Sequence, residues 1–492
     1  MRNPADLNSW HADWRGLRVV VIGLGVSGFS VADTLAELGC QVLVVAEKAE
    51  PELLDILDVI GVKHVTGEQA KFAGGQAAGS VSEFEPELVI TSPGVRPDTD
   101  AMAWAESLGV PVWVDIELAW RLRDKNAKIA EWITITGTNG KTTTSQLVEA
   151  MLLQADIRAI AVGNIGVPIL DAIRDPLGYA VLVVELSSFQ LHYLGEISPV
   201  ASAVLNLADD HLDWHGSFDA YRDAKAKIYE NTQLACVYNC EDAATEAMVE
   251  NAEVVEGARA IGFTMGAPTR SQVGYVEDIL CDRAFIEERA TSAQEIATLE
   301  DIAQIGVVTP HLLANIAAAT ALVRSLGVPP SSIRDALRAF RLDAHRIEVV
   351  AEAGGVRWID DSKATNPHAT AASLASFGSV VWIVGGLLKG VDIAPLVQRY
   401  AKNLKAAIVI GQDRSDVLHA LAANAPDVPV REVEVDDKLQ VMTVAVDLAE
   451  EFASDGDTVL LAPAAASMDQ FKDYADRGNQ FQTAVRVKLG LS

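Results

Sequence analysis

The stretch ITGTNGKTTT, Ile135–Thr144, decides the fold. An apolar approach precedes it, and a helical pattern follows through Gln146, Leu147, Val148, Ala150, Met151 and Leu152. A strand that runs into a glycine-rich turn and then a helix is a cradle for phosphate. Gly137 and Gly140, with Thr138 and Asn139 between them, let backbone N–H groups turn toward an anion. The new helix adds the positive end of its dipole. Lys141 reaches the outer phosphates, and Thr142, with Thr143 beside it, places a hydroxyl on Mg²⁺. Ile135 stands where the usual GxxxxGK[ST] has its first glycine, so this is the shorter GTNGKT form.

The chain around this loop has 492 residues, too many for one core. About three domains of ~150 residues are expected. Half the residues are apolar and few are aromatic, which is an α/β composition. The four cysteines are scattered without paired spacing, so neither a disulfide framework nor a zinc site is expected. LRVVVIGLGVSGFSVA is interrupted by Gly and Ser and is too short to span a bilayer, so a cytoplasmic protein without membrane insertion is expected. A formal charge of −29 opposes a nucleic-acid partner. It does not oppose a nucleotide, whose cradle is local.

Before the loop, LRVVVI reads as a buried strand, Gly23–Gly28 as a GxGxxG turn, and Gln41–Val45 as a second strand after a helix. This βαβ start places Gly25, Val26 and Ser27 at a diphosphate, with Glu47 the candidate for a ribose. Alone it suggests a dehydrogenase. Dehydrogenases lack a triphosphate loop, so a different nucleotide diphosphate fits better. LVITSPG carries Ser92, and the charged Arg121–Lys128 reads as a linker or helix end. After the loop, strands and helices alternate until about 240–305, which reads as a small β insertion. A second boundary precedes AHRIE, and a last block alternates again through VVWIVGG, AAIVIG and TVLLAPA. Three consecutive α/β domains with parallel sheets are expected, at residues 1–114, 115–343 and 344–492.

Several strand ends gather chemistry. Glu185 closes VLVVE, where a carboxylate can hold Mg²⁺ opposite Thr142; Ser187, Ser188 and Gln190 follow it as hydrogen-bonding groups or as a helix cap. Asp209, Asp210, His211, Asp213 and His215 cluster after another strand and read as a metal or acid–base site. His192 and His419 read as packing or surface residues. In the last block Asp361, Ser362, Lys363, Thr365 and Asn366 follow VRWID, Lys389 follows a further strand, and Ser467 occupies a strand-to-helix turn ahead of Tyr474 and Arg477. Together these put cations and hydroxyls at one edge of the third sheet.

GTNGKT, GNIG (Gly163–Gly166), ELSSFQL (Glu185–Leu191), DHLD (Asp210–Asp213), HRIE (His345–Glu348) and DSKATN (Asp361–Asn366) occur in that order. Over the whole chain this set closely resembles the Mur ligases. The resemblance implies a UDP-binding first domain, a central ATPase domain and a third domain that closes over the site. It implies a monomeric, cytoplasmic ligase of peptidoglycan precursor synthesis that joins D-glutamate to UDP-N-acetylmuramoyl-L-alanine with ATP and two Mg²⁺ sites. Gly25, Val26, Ser27 and Ser92 would then hold the uridine diphosphate. Asn164, Ser187, Gln190 and His211 would face the muramoyl-alanine or its metal. Thr142, Glu185, His211 and a carbamylated Lys225 would serve the metals. Asn315, Arg346 and Asp361 would contact the nucleotide, and Lys363, Thr365, Lys389, Ser467 and Tyr474 the D-glutamate. Residue chemistry does not choose between Lys225 and Lys227; the family's flanking YRxAK pattern selects Lys225. Leu312 departs from the family's HNxxN and cannot hydrogen-bond adenine.

The implied chemistry is an ATP-driven amide bond with Lys141, His211 and Lys225 as its catalytic groups. A folylpolyglutamate synthase-like ligase shares the short loop, but DSKATN and the first domain argue against it. An inactive, nucleotide-regulated scaffold is opposed by the intact Lys141, Glu185, His211 and Lys225.

Overall fold

A computed structural model describes residues 4–77, 79–435 and 437–491. Three open sheets follow one another along the chain. The first contains β1 (Arg18–Ile22), β2 (Gln41–Ala46), β3 (Lys63–Thr66), β6 (Leu88–Thr91) and β7 (Val112–Trp113), while β4 (Phe72–Ala73) and β5 (Gln76–Ala77) form a separate hairpin. Its order is β3-β2-β1-β6-β7, all parallel. RVVVI is almost wholly buried, as a central strand covered by helices on both faces must be.

The second sheet contains β8 (Glu131–Thr136), β9 (Ala159–Gly163), β10 (Val181–Glu185), β11 (Ala201–Val204), β12 (Ala235–Asn239), β13 (Arg259–Phe263), β14 (Gln272–Val276), β15 (Ile279–Asp282) and β16 (Gln294–Thr298). Its order is β16-β15-β14-β13-β12-β11-β8-β10-β9. The phosphate loop follows β8, whose neighbours β11 and β10 lead away in opposite directions, so a crevice opens at the loop. The 240–305 segment holds β strands, as expected, and they do not stand apart from the central sheet. Its strands extend this sheet, and β14, β15 and β16 pair antiparallel. The pairing of these strands onto the rest of the sheet carries no local signal in the sequence.

The third sheet contains β17 (Glu348–Ala353), β18 (Val356–Asp360), β19 (Val380–Gly385), β20 (Leu404–Ile410), β21 (Val430–Glu432) and β22 (Thr458–Leu461). Its order is β17-β18-β22-β19-β20-β21, with only β17 antiparallel. The expectation of purely parallel sheets therefore fails at the edges of the second and third. No helix among the described residues is long and apolar enough to cross a membrane. None of the four cysteines is disulfide-bonded.

The cores explain which parts are rigidly joined. One apolar cluster runs from the first sheet through Ile116, Leu118, Ala119 and Leu122 of the helix Asp115–Leu122 into Trp132, Ile169 and Leu182 of the second unit. Polar ties cross the same junction: Arg174 to Asp33 at 2.5 Å and to Glu37 at 2.7 Å, Lys125 to Glu37 at 2.6 Å, and Ser30 to Asp171 at 2.8 Å. The third sheet is filled by clusters of its own on its two faces. It meets the second unit through sparser polar contacts, among them Asn139 with Asn366 and with His368.

At the junction, His345 and Ile347 have positive φ angles of 66° and 47°. His345 is buried, and its Nδ1 lies 2.6 Å from Asp360. Gln482 donates to both Asp360 and Glu348 at 2.9 Å, so these four residues form a satisfied structural network. The Asp360 hydrogen bond holds the His345 pKa above its ordinary value, against the opposing effect of burial. The stabilisation is therefore full below about pH 6.5 and is lost as pH rises through the raised folded-state value. Denaturant midpoints should fall from about pH 6 to about pH 9, and His345→Gln should flatten that slope. An unchanged slope in the variant would exclude His345 as the cause.

Candidate active site

The phosphate loop is clamped before any ligand arrives. Gly137 and Gly140 take φ angles of 154° and 85°. A Cβ on Gly140 would lie 2.3 Å from Asn315 Oδ1, so only glycine lets Asn315 pack there. Asn206, just past β11, grips the Asn139 backbone twice: its Oδ1 accepts from Asn139 N–H at 2.9 Å and its Nδ2 donates to Asn139 O at 3.0 Å. Thr138 Oγ1 accepts from Ala208 N–H and lies 2.9 Å from the Tyr221 hydroxyl. Lys141 curls back over the loop and donates to Gly137 O at 2.9 Å and Thr138 O at 3.0 Å. Burial lowers its pKa, while Glu185 and Asp210 oppose that shift.

A cavity of about 770 Å³ opens over this loop. Thr142, Glu185, Asp210 and His211 line it from the second unit; Lys363, Thr365 and Tyr474 line it from the third. Glu185 is 1 % exposed. Its Oε1 accepts from Asn164 Nδ2 at 2.8 Å, and its Oε2 has no partner. A buried, unpaired carboxylate oxygen in the cavity that Thr142 also lines suits a hard cation such as Mg²⁺. Arg346 Nε is likewise buried without a partner and belongs to a residue that lines the same cavity.

His211 sits in the left-handed region at φ 53°. Its ring packs edge-on against Phe189 at 4.7 Å. Burial lowers its pKa, Asp210 opposes, and Lys389, Lys141 and Lys225 lower it further. The Asp/His cluster read from sequence does not act as one site. Asp209 and Asp213 are exposed, and His215 Nε2 lies 2.9 Å from Ser188 Oγ. Of this cluster only Asp210 and His211 line the cavity; Asp209 and Asp213 turn to solvent, and His215 packs inward against Phe189 and Tyr221. His192 packs against Trp214, and His419 is exposed.

Lys225 is 2 % exposed, and its Nζ donates to Thr136 Oγ1 at 3.1 Å and Gly137 O at 3.0 Å, directly under the loop. Burial first, then Lys141, brings its pKa well below the ordinary lysine value. Lys227 instead donates to His192 O at 2.9 Å.

In the first unit Gly25 and Val26 begin the helix Val26–Glu37, with Val26 exposed. A Cβ on Gly28 would lie 2.2 Å from Gly23 O, which explains why the turn needs glycine. Ser92 Oγ is buried without a partner beside it. Ser187 and Gln190 form a capping box on the helix Ser188–Tyr193. Burial raises the pKa of Asp115, and hydrogen bonds from Ser27 and Gln190 oppose the shift, so the first glycine turn and ELSSFQL share one buried carboxylate.

In the third unit Lys363 Nζ donates to the Tyr474 hydroxyl at 3.1 Å. Asp361 is raised to about 6 by burial, while bonds from Ser373 and the charge of Arg346 hold it down. Lys389 is exposed on a turn, and Ser467 is buried. Ser467 lies between β22 and the helix Tyr474–Leu489, at the strand-to-helix turn expected for it. One reading needs correction. Arg477 is no ligand cation, because it is fully buried and donates to Ser362 Oγ, Ser362 O and Ala465 O. Sequence reasoning also passed over Asn206, Tyr221 and His368. Asn206, at the carboxyl end of a parallel strand, was the one with a positional signal.

Residues 17–114 match the Mur ligase MurD-like N-terminal domain, residues 135–323 the Mur ligase middle domain, and residues 345–465 the Mur ligase glutamate ligase domain. The chain belongs to the Mur ligase family. It is 58% identical to the UDP-N-acetylmuramoylalanine--D-glutamate ligase of Leifsonia xyli subsp. xyli, over 99% of this chain and 95% of that one. It is 49% identical to the ligase of the same name from Streptomyces avermitilis, over 96% and 99%. Among solved structures it is similar to the UDP-N-acetylmuramate-alanine ligase MurC of Thermotoga maritima, with a TM-score of 0.56 and 19% identity over 96% of this chain and 100% of that one. A MurF ligase from Thermotoga maritima in complex with ADP gives 0.54 and 18% over 96% of each. At those identities the likeness concerns the fold of a Mur ligase.

Proposed function

We propose that this Mur ligase adds D-glutamate to UDP-N-acetylmuramoyl-L-alanine at the expense of ATP, as a cytoplasmic monomer with domains at residues 1–114, 115–343 and 344–492. The observation that carries the reading is the shared cleft. A phosphate loop with its lysine, a carboxylate with an orphaned oxygen, and Lys363 with Thr365 from the third unit all line one cavity. The names of the two relatives, at 58% and 49% identity across nearly the whole chain, supply the substrates.

In the first step the alanyl carboxylate attacks the γ-phosphate, forming an acyl phosphate and releasing ADP. In the second, the D-glutamate amine attacks that carbonyl, loses a proton and expels phosphate. Two anions must meet in the first step, so positive charge dominates the site. Lys141 leaves its loop carbonyls for the β- and γ-phosphates, and Arg346 offers its unpaired Nε to the same anion. Thr142 and Glu185 would hold one Mg²⁺; His211 with a carbamylated Lys225 would serve a second. Such ions neutralise charge on the transferring phosphoryl oxygens. Asn164 fixes the Glu185 carboxylate through its Oε1.

The uridine diphosphate lies along Gly25, Val26, Ser27 and Ser92, and Ser187 and Gln190 face the muramoyl-alanine. Asn315 and Asp361 flank the nucleotide. Lys363, Thr365, Lys389, Ser467 and Tyr474 take the amino acid. Phosphate release should require both UDP-N-acetylmuramoyl-L-alanine and D-glutamate. D-alanine should be rejected strongly, because donors built for a second carboxylate would be left unpaired. Turnover with L-glutamate, meso-diaminopimelate, L-lysine and D-alanine checks this. Preference for any of them moves the chain to another Mur ligase activity.

A further inference from the structure

Asn139 divides itself between two units. Its backbone, gripped by Asn206, belongs to the phosphate loop. Its side chain crosses to the third unit, where both ends of the amide find partners. Oδ1 lies 3.1 Å from Asn366 Nδ2; Nδ2 lies 2.9 Å from His368 Nδ1 and 3.4 Å from Asn366 Oδ1. A glycine loop offers phosphate its backbone N–H groups, so the Asn139 amide is free for another task. Asn366 is 8 % exposed and ends the DSKATN run, which carries Lys363 and Thr365.

The direction of each bond follows from one backbone donor. Ala369 N–H, in the first turn of the helix Pro367–Ala375, donates to Asn366 Oδ1 at 2.8 Å. Asn366 Nδ2 is then the donor to Asn139 Oδ1. Asn139 Nδ2 in turn donates to His368 Nδ1, so the ring proton sits on Nε2. Burial disfavours the imidazolium, with Asp242 opposing and Arg399 adding to it, which keeps Nδ1 an acceptor. Among the described residues no apolar cluster spans this junction, so polar bonds of this kind set how the third unit sits on the loop.

We propose that Asn139, Asn366 and His368 form a joint that registers the amino-acid pocket on the phosphate loop, with Asn139 a positioning residue for amide formation. This rests on the ligase reading above. Asn139 stands two residues before Lys141, and Asn366 three after Lys363. A bond between the two asparagines therefore fixes where the incoming amine meets the acyl phosphate made at the loop. With the joint broken, the acyl phosphate still forms but waits for its amine. Water then adds to the acyl carbon and gives up a proton, phosphate leaves, and the carboxylate returns.

The test follows amide product and phosphate together, in the full chain with ATP and both substrates. Wild type should release one phosphate per amide formed. Three variants, each checked for folding by circular dichroism, break the joint. Asn139→Ala removes the loop amide. Asn366→Ser removes its partner and keeps a helix cap. His368→Phe keeps the ring and removes the acceptor. Each should lower kcat/KM for D-glutamate about tenfold, the effect of one lost hydrogen bond. Each should also release more than one phosphate per amide, which a merely structural loss would not do. Asn139→Ala/Asn366→Ser should be no slower than the slower single variant, because the two residues act as one pair. Losses that multiply, a phosphate ratio that stays at one, or no loss in the single variants overturn the joint. A wild-type chain that forms no amide from these substrates overturns the ligase reading itself, and the joint with it.

Discussion

Lys141→Ala is expected to slow phosphate release by ~10²–10³ or more while leaving the fold intact, the range set by removing a transition-state charge donor. Lys141 is the only cation within the loop motif. At rest its ammonium is held by two loop carbonyls, Gly137 O and Thr138 O. Those bonds keep the head group at the mouth of the cradle, one short swing from where the outer phosphates lie. Burial disfavours its charge, and Glu185 and Asp210 counter that, so an arriving triphosphate finds a cation whose counter-charges are already placed. The fold should survive because Asn206 still clamps Asn139 and Tyr221 still holds Thr138. Single-turnover phosphate release alongside circular dichroism checks both halves. A folded variant with near-normal turnover refutes the role.

The fold was legible where local rules are strong, and the site only in part. Fully apolar runs such as VVWIVGG and VLVVE announced buried parallel strands, and GTNGKT and GLGVSG announced the glycine turns. β structure in 240–305 was expected, but the pairing of β14 to β16 onto the central sheet was not legible, because strands carry no local signal of their partners. Residue type and strand-end position singled out Glu185 and His211. What could not be read were partners far along the chain. Asp209 and Asp213 share a segment with His211, yet the backbone turn at His211 points them to solvent. Arg477 looked like a ligand cation, and its guanidinium is used up by Ser362 and Ala465. His368 carried no motif signal; its place follows from a bond to Asn139, 229 positions away.

Lys225→Ala is expected to be inactive and partly rescued by added short carboxylates, whereas Lys227→Ala stays near wild type. The two lysines sit two positions apart, about 200° around a helix. Lys227 spends its ammonium on the His192 carbonyl, away from the cleft. Lys225 is buried under the phosphate loop against Thr136 and Gly137. Taking a lysine out of water favours the neutral amine, and Lys141 nearby pushes the same way. A neutral amine can attack CO₂: the N–C bond forms, the amine gives up one proton, and an anionic carbamate results. That group can bind a metal ion, which an ammonium cannot. The local balance favours it as well, since Lys141 gains a nearby counter-charge. Activity should therefore fall when CO₂ and bicarbonate are stripped from the buffer and return when bicarbonate is added. The intact mass of the wild type should rise by one CO₂ under mild ionisation, and that of Lys225→Ala should not. Full activity of Lys225→Ala, or inactivity of Lys227→Ala in its place, would sink the assignment.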